Sequence, residues 1–221
     1  MELREDRAET RTVHVAVYDG WADWEVGHAT AHLRNGAWQS GAVRYTIATV
    51  GPTRAPVTTM GGLRVTPDLA LGELDPAASA LLILPGSGGW DAGAQETNTG
   101  ELAAFAAAAR RFLDAGVPVA AICGAVAGLA REGLLDERDH TGAAPEYLAA
   151  TGYRGTHRYR EAGAHTDRGL ITAGPTHPVE FARAIFALLG LYTPQVLDAW
   201  YRLFATGESA AFHELMAAGR G

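Results

Sequence analysis

The chain contains no lysine, a single cysteine in 221 residues, and no long uncharged apolar run. One cysteine excludes an intrachain disulfide and any metal site built from several thiolates. All 18 basic residues are arginine, against 25 Asp and Glu, for a formal net charge of -7. No five of them are consecutive, so nucleic acid and anionic membrane surfaces are excluded as partners. No segment is long and apolar enough to span a bilayer. Met1 to Arg11 is charged throughout, with no apolar core for a signal peptide. A soluble, cytoplasmic protein is the expectation. The missing lysine and abundant alanine reflect genomic base composition. The length suits one domain with a full core and an appendage.

What is present is an alternation of strand-like and helix-like segments. Residues 1–11 read as a disordered tail. Thr12 to Tyr18 and Arg44 to Val50 read as strands, with a helix from Trp24 to Asn35 between them. Met60-Gly61-Gly62 is a turn between two short extended pieces. Ala80 to Leu84 is apolar throughout, the pattern of a strand buried on both faces, and Pro85-Gly86-Ser87-Gly88-Gly89 breaks it. An alanine-rich helix from Gly100 to Ala115, a strand from Val117 to Ile122 and a helix from Gly124 to Glu132 follow. Two short strands flank Thr166-Asp167-Arg168-Gly169, and Pro178 to Gly190 is a closing helix. This alternation predicts a flavodoxin-like three-layer α/β/α sandwich with a mostly parallel sheet over residues 12–192. Residues 193–221 form a helical C-terminal extension, split near Gly207. Trp200, Tyr201, Phe204, Phe212 and Leu215 make an apolar stripe there, to pack on the domain, cover a cleft or meet a second subunit.

Cys123 sits where the strand ending at Ile122 turns directly into the helix starting at Gly124. Such a turn pushes the side chain outward beside the free N–H groups of the first helical turn. Those groups favour thiolate, and a thiol near ~8.5 can fall to roughly 3.5–7.5 at a helix N-terminus. A small buried hydrophobe is the bland alternative. Ligands in such sheets bind beyond the carboxyl ends of the strands. Two other connections reach that edge. One carries Asp19, Asp23 and Glu25, with Asp23 suited to capping the helix and Glu25 either a solvated first-turn charge or a proton partner for Cys123. The other brings the N–H groups of Ser87 and Gly88 towards that of Gly124, an oxyanion hole for an adduct at the sulfur.

Glu25, His28 and His32 share a helical face, but a histidine there is more often an interface residue than a metal ligand, so no metal is expected. His140 and His165 are acid/base candidates if they lean over the cleft. Trp21 and Trp90 are candidate pocket walls. His177 and Glu180 follow the last strand, where a Cys-His-Glu triad would take its partners. Two residues separate them, however, where that triad has one, and the extra residue turns the carboxylate by about 100° on a helix.

Tyr18-Asp19-Gly20-Trp21-Ala22-Asp23-Trp24-Glu25, Leu84-Pro85-Gly86-Ser87-Gly88, Ala121-Ile122-Cys123-Gly124, and Thr172-Ala173-Gly174-Pro175 with Glu180-Phe181-Ala182 together resemble the ThiJ/PfpI superfamily. That superfamily shares the class I glutamine amidotransferase-like fold. The resemblance spans about Val13 to Leu191. It implies Cys123 as reactive centre, Glu25 against its sulfur, and Ser87 and Gly124 as the oxyanion hole. It also implies a homodimer and no cofactor. Family activities include hydrolysis of amides or peptides, conversion of methylglyoxal, repair of early glycation adducts and isonitrile hydration; other members are redox-responsive. Two departures matter. Gly124 stands where many members place a histidine after the cysteine, which argues against peptidase chemistry. His140-Thr141-Gly142 is offset from a Thr-His pair found over the cleft. The expectation is a cysteine-dependent hydrolase or lyase acting on a small carbonyl, amide or imine. The alternatives are a redox-responsive stress protein and a glutamine amidotransferase-like subunit.

Overall fold

A computed structural model describes residues 9–91 and 102–219. In chain order the strands are β1 (Glu9–Ala16), β2 (Val43–Gly51), β3 (Val57–Thr58), β4 (Arg64–Val65), β5 (Leu69–Ala70), β6 (Leu81–Leu84), β7 (Val119–Ile122), β8 (Ala164–Asp167) and β9 (Leu170–Ala173). The α-helices are α1 (Asp23–Asn35), α2 (Ala103–Asp114), α3 (Gly124–Arg131), α4 (Pro145–Ala149), α5 (Pro178–Leu189), α6 (Pro194–Thr206) and α7 (Ser209–Ala218).

Seven strands make one sheet in the order β5-β2-β1-β6-β7-β9-β8. All neighbours are parallel except β8 and β9, which run antiparallel around the Arg168-Gly169 turn. β6 and β7, Leu-Leu-Ile-Leu and Val-Ala-Ala-Ile, are buried at every position, as central parallel strands covered on both faces must be. Register pairs Leu84 with Ala121 and Ile122 with Ala173, so β6, β7 and β9 finish at nearly the same level. From β1 the chain moves outward to β2, then crosses back to β6 on the other side. The β1/β6 boundary is therefore a topological switch point, where a crevice opens beyond the strand ends.

The mixed α/β architecture with a mostly parallel sheet is as the sequence pattern predicts. β1 begins at Glu9, inside the expected tail, because Glu9 pairs in register with Val43 of β2; residues 1–8 lie outside the described residues. Gly100, the expected start of the alanine-rich helix, also lies outside them. β3 and β4 are the extended pieces around Met60-Gly61-Gly62, paired with each other and not with the large sheet.

Within the C-terminal extension, Trp200 of α6 is fully buried. Its ring meets Phe186 of α5 at 4.9 Å and His32 of α1 at 5.4 Å. The extension packs on the domain, and none of its described residues lines the cavity described below. Among the described residues, no helix is long and apolar enough to cross a membrane.

Candidate functional site

Cys123 is the residue between β7 and α3, and its backbone takes φ 60° and ψ -128°. An L-residue with a side chain rarely adopts that conformation, which costs about 1–3 kcal/mol and persists only where the surroundings enforce it. Here they do. The Cys123 N–H donates to Ala173 O of β9 at 3.1 Å, and its carbonyl accepts from the Val126 N–H of α3 at 3.1 Å. The chain is held on both sides of the turn, so the side chain is left pointing at the end of β6.

What it meets there is Gly86. A methyl group on Gly86 would lie 2.7 Å from Cys123 Cβ, 2.9 Å from Sγ and 3.0 Å from Glu25 Oε2. Only a glycine lets the β6 turn approach this closely. The Gly86 N–H donates to Glu25 Oε2 at 2.6 Å, and the same carboxyl is hydrogen-bonded to the Cys123 sulfur. Glu25 is only 1% exposed, despite being a charged residue in a helix's first turn. Asp19 and Asp23 are used differently. Asp19 Oδ1 accepts from the Thr58 N–H at 2.8 Å and Asp23 Oδ2 from the Thr59 hydroxyl at 2.6 Å, tying the β3–β4 hairpin to this loop. Asp23 is thus not the helix cap; Ala22 occupies that position, and Asp23 is the first helical residue.

The electrostatics of the pair work against the expected standing thiolate. Burial first, and the Glu25 carboxylate second, push the Cys123 thiol up from 9.0 to about 12, against the opposing pull of the Gly124 N–H. Helix α3 contributes too little positive potential to outweigh a neighbouring carboxylate in a dry site. Glu25 is itself raised above its ordinary 4.5 by burial, with the Gly86 N–H and the Cys123 hydrogen bond working against the shift. Two acids this close share protons as a unit, and the second ionisation is suppressed by the first.

The pair opens into a cavity of about 390 Å³, also lined by Trp24, Met60, Ser87, Gly88, Asp91, Gly124, Ala143, Tyr147 and Pro175. Ser87 and Gly88 line it together with Gly124. The Ser87 hydroxyl is committed, donating to Asp19 O at 3.0 Å and accepting from the Gly89 N–H at 3.1 Å. Trp90 does not line the cavity. Its ring is buried against Gly128, and its Nε1–H points to Tyr18 Oη and Pro85 O, both at 3.0 Å, bracing the turn that carries Gly86. Trp21 is likewise buried outside the lining.

The histidines are elsewhere. His140 is fully buried, with Nδ1 2.8 Å from Arg138 O and Nε2 2.9 Å from Tyr153 Oη, so both ring nitrogens are engaged in the core. His165 lies in edge strand β8. His177 occupies the cap position of α5, 3.2 Å from Thr176 Oγ1, while Glu180 Oε1 accepts from the Tyr201 hydroxyl of α6 at 3.0 Å. No His177–Glu180 hydrogen bond is formed, and neither residue lines the cavity. His28 and His32 pack edge-on against Phe204 and Trp200, an interface role. Among the described residues no group of three His, Cys, Asp or Glu is placed to hold a metal ion.

Sequence reasoning missed the rim. Asp91 accepts from the Tyr147 hydroxyl at 2.8 Å and 2.9 Å and from Arg131 at 3.0 Å, while Trp24 and Met60 stand half-exposed at the mouth. An exposed Trp in the turn after Asp23 was the one available signal; Asp91 and Tyr147 are 56 residues apart and carry none.

The model of the DJ-1/PfpI family matches residues 11–188. The chain belongs to the DJ-1/PfpI family. Two relatives from Bacillus subtilis are named uncharacterized proteases. YoaZ is 35% identical over 211 residues, 94% of this chain and 97% of its own. YdeA is 31% identical over 187 residues, 82% and 85% respectively. A solved ThiJ/PfpI family protein from Bacillus anthracis superposes with TM-score 0.88 at 32% identity, covering 97% of this chain and 99% of that one. A DJ-1 superfamily protein from Agrobacterium tumefaciens gives 0.75 at 34%, covering 89% and 98%.

Proposed function

We propose that this DJ-1/PfpI family member is a cysteine-dependent enzyme acting on a small carbonyl, amide or imine compound without a bound cofactor. Cys123 is the nucleophile and Glu25 the proton carrier. One observation carries the reading: a buried carboxyl is hydrogen-bonded both to the sulfur and to the Gly86 N–H on the floor of a substrate-sized cavity.

The high thiol pKa changes how such a reaction starts. The proton leaves as the bond forms: sulfur adds to the electrophilic carbon, the S–H proton passes to the Glu25 carboxylate, and the π electrons move to oxygen or nitrogen. A carboxylate raised towards neutrality is the better base for this step and, once protonated, a usable acid for the next. Ser87, Gly88 and Gly124 line the same cavity, and their N–H groups are the donors this reading assigns to the developing negative charge. With an aldehyde, Glu25 returns the proton to oxygen, giving a hemithioacetal. With an amide, it protonates the departing nitrogen, leaving a thioester for water to cleave. His140 and His177 take no part.

The relatives' protease names suggest peptides, but Gly124 supplies no adjacent base, and a cavity of about 390 Å³ suits a small molecule. A redox-responsive role needs an outside thiol to resolve a sulfenic acid, since the chain holds no second cysteine. A glutaminase role lacks its relay, because Glu180 is bonded to Tyr201. Screening dicarbonyls, amides and isonitriles with the wild type and with Cys123→Ser tests the proposal. Turnover is expected to vanish in the variant while the melting curve is kept. Unchanged turnover on every active substrate would end it.

A further inference from the structure

The cavity that holds the Cys123–Glu25 pair is lined by charge of one sign. Among the described residues, Glu25 and Asp91 are its ionisable carboxyls, and no arginine or histidine lines it. Arg131 lies outside the lining; it donates to Asp91 Oδ1 at 3.0 Å and to Trp90 O at 2.8 Å, fixing the carboxylate and offsetting part of its charge. Tyr147 donates to the same group. A carboxylate offers about four acceptor positions, and the Asp91 side chain is 51% exposed, so it can still accept from a bound molecule. After burial, both carboxylates add to the upward push on the Cys123 thiol. Across the mouth, the indole of Trp24 and the thioether of Met60 are more than half exposed, giving an apolar wall whose aromatic face tolerates cations.

We infer that this cavity selects by charge: it admits uncharged or amine-bearing carbonyl compounds and turns away 2-oxo acids and phosphorylated aldehydes, with Asp91, held by Tyr147, as the specificity-determining residue. This inference rests on the catalytic reading above and names the substrate class for that site. An anion entering would approach the Glu25 carboxyl and an Asp91 carboxylate whose Arg131 partner lies behind it, outside the lining, whereas an ammonium group finds a preset acceptor.

The lone cysteine makes the test independent of any substrate. Cys123 is labelled with two methanethiosulfonates of equal reactivity, one carrying a 2-aminoethyl group and one a 2-sulfonatoethyl group. Each forms a mixed disulfide with the protein and releases methanesulfinate, and each rate is divided by that with 2-mercaptoethanol. The cationic reagent is expected to be favoured by about tenfold or more at low salt, shrinking as ionic strength rises. Asp91→Asn, which keeps the acceptor oxygen, should lower the ratio severalfold. Should that variant not fold, the salt series on the wild type decides alone. A wild-type ratio of one or less overturns the inference. So does a ratio unchanged in a folded Asp91→Asn, or no labelling of the native chain while the unfolded chain labels fully. Failure here with Cys123→Ser inactive removes only charge selection, whereas an active Cys123→Ser removes the catalytic reading and leaves the ratio to stand.

Discussion

The floor and the rim of the cavity are built on opposite principles. The floor is made of groups that the ends of β6 and β7 and the start of α1 force together: Gly86, Cys123 and Glu25 sit so close that no atom can be added between them. The rim is made of side chains that reach in from connections, Trp24, Met60, Asp91 and Tyr147, and three of these four are half-exposed or more. Position at the floor is a property of the sheet, and position at the rim is a property of individual side chains. Chemistry that depends on tenths of an ångström belongs to the first, and discrimination among substrates to the second.

This contrast is sharpest at Glu25. Glu25→Gln keeps the shape and removes the base, and turnover is expected to fall by about 10²–10⁴-fold. The same change removes the negative charge that helps hold the Cys123 proton, so alkylation of Cys123 by iodoacetamide at pH 8 should become faster. Turnover and alkylation moving together would break the proposed division of labour. Stability should move too. Folded Glu25 binds its proton more tightly than the unfolded group at 4.5, so its ionisation opposes folding; the cost is absent below about pH 4.5 and grows as the pH rises towards the folded value. Melting temperatures of Glu25→Gln should therefore gain on the wild type between pH 4 and 8.

Next in size is Gly86→Ala. Its methyl group must displace Cys123 or Glu25, costing about 1–3 kcal/mol of stability. Turnover should drop by about a hundredfold, since misplacement by about 1 Å has that effect. The smallest change is expected at the rim, where Trp24→Ala should raise KM severalfold and leave stability within roughly 0.5 kcal/mol of wild type. If Trp24→Ala lowered kcat as much as Gly86→Ala does, the separation of floor from rim would be wrong.

The same division explains what could be read in advance. Strand positions, the Cys123 turn and the glycine connection were legible because periodicity and glycine placement are local signals, and the floor follows from them once the sheet order is known. Glu25 was legible as one of three carboxylates, but only the β3–β4 hairpin, by engaging Asp19 and Asp23, makes it the one left to face inward. His140 and Trp90 were misplaced because a residue's sequence position fixes which connection it occupies and not which way it points. Tyr153 and Arg138 draw one ring into the core, while Tyr18 and Pro85 draw the other. What opposes the thiolate was hard to read for a related reason: the helix end is visible in sequence, but the dryness of the site is not.

The positive φ at Cys123 bears on what folding by itself would select. At φ 60° and ψ -128° a glycine is at ease, and any β-carbon is a burden. Cys123→Gly should therefore melt higher than Cys123→Ala, although it deletes more atoms. A chain choosing residues for foldability alone would settle on glycine at that corner, so a sulfur there is kept against the grain of the backbone.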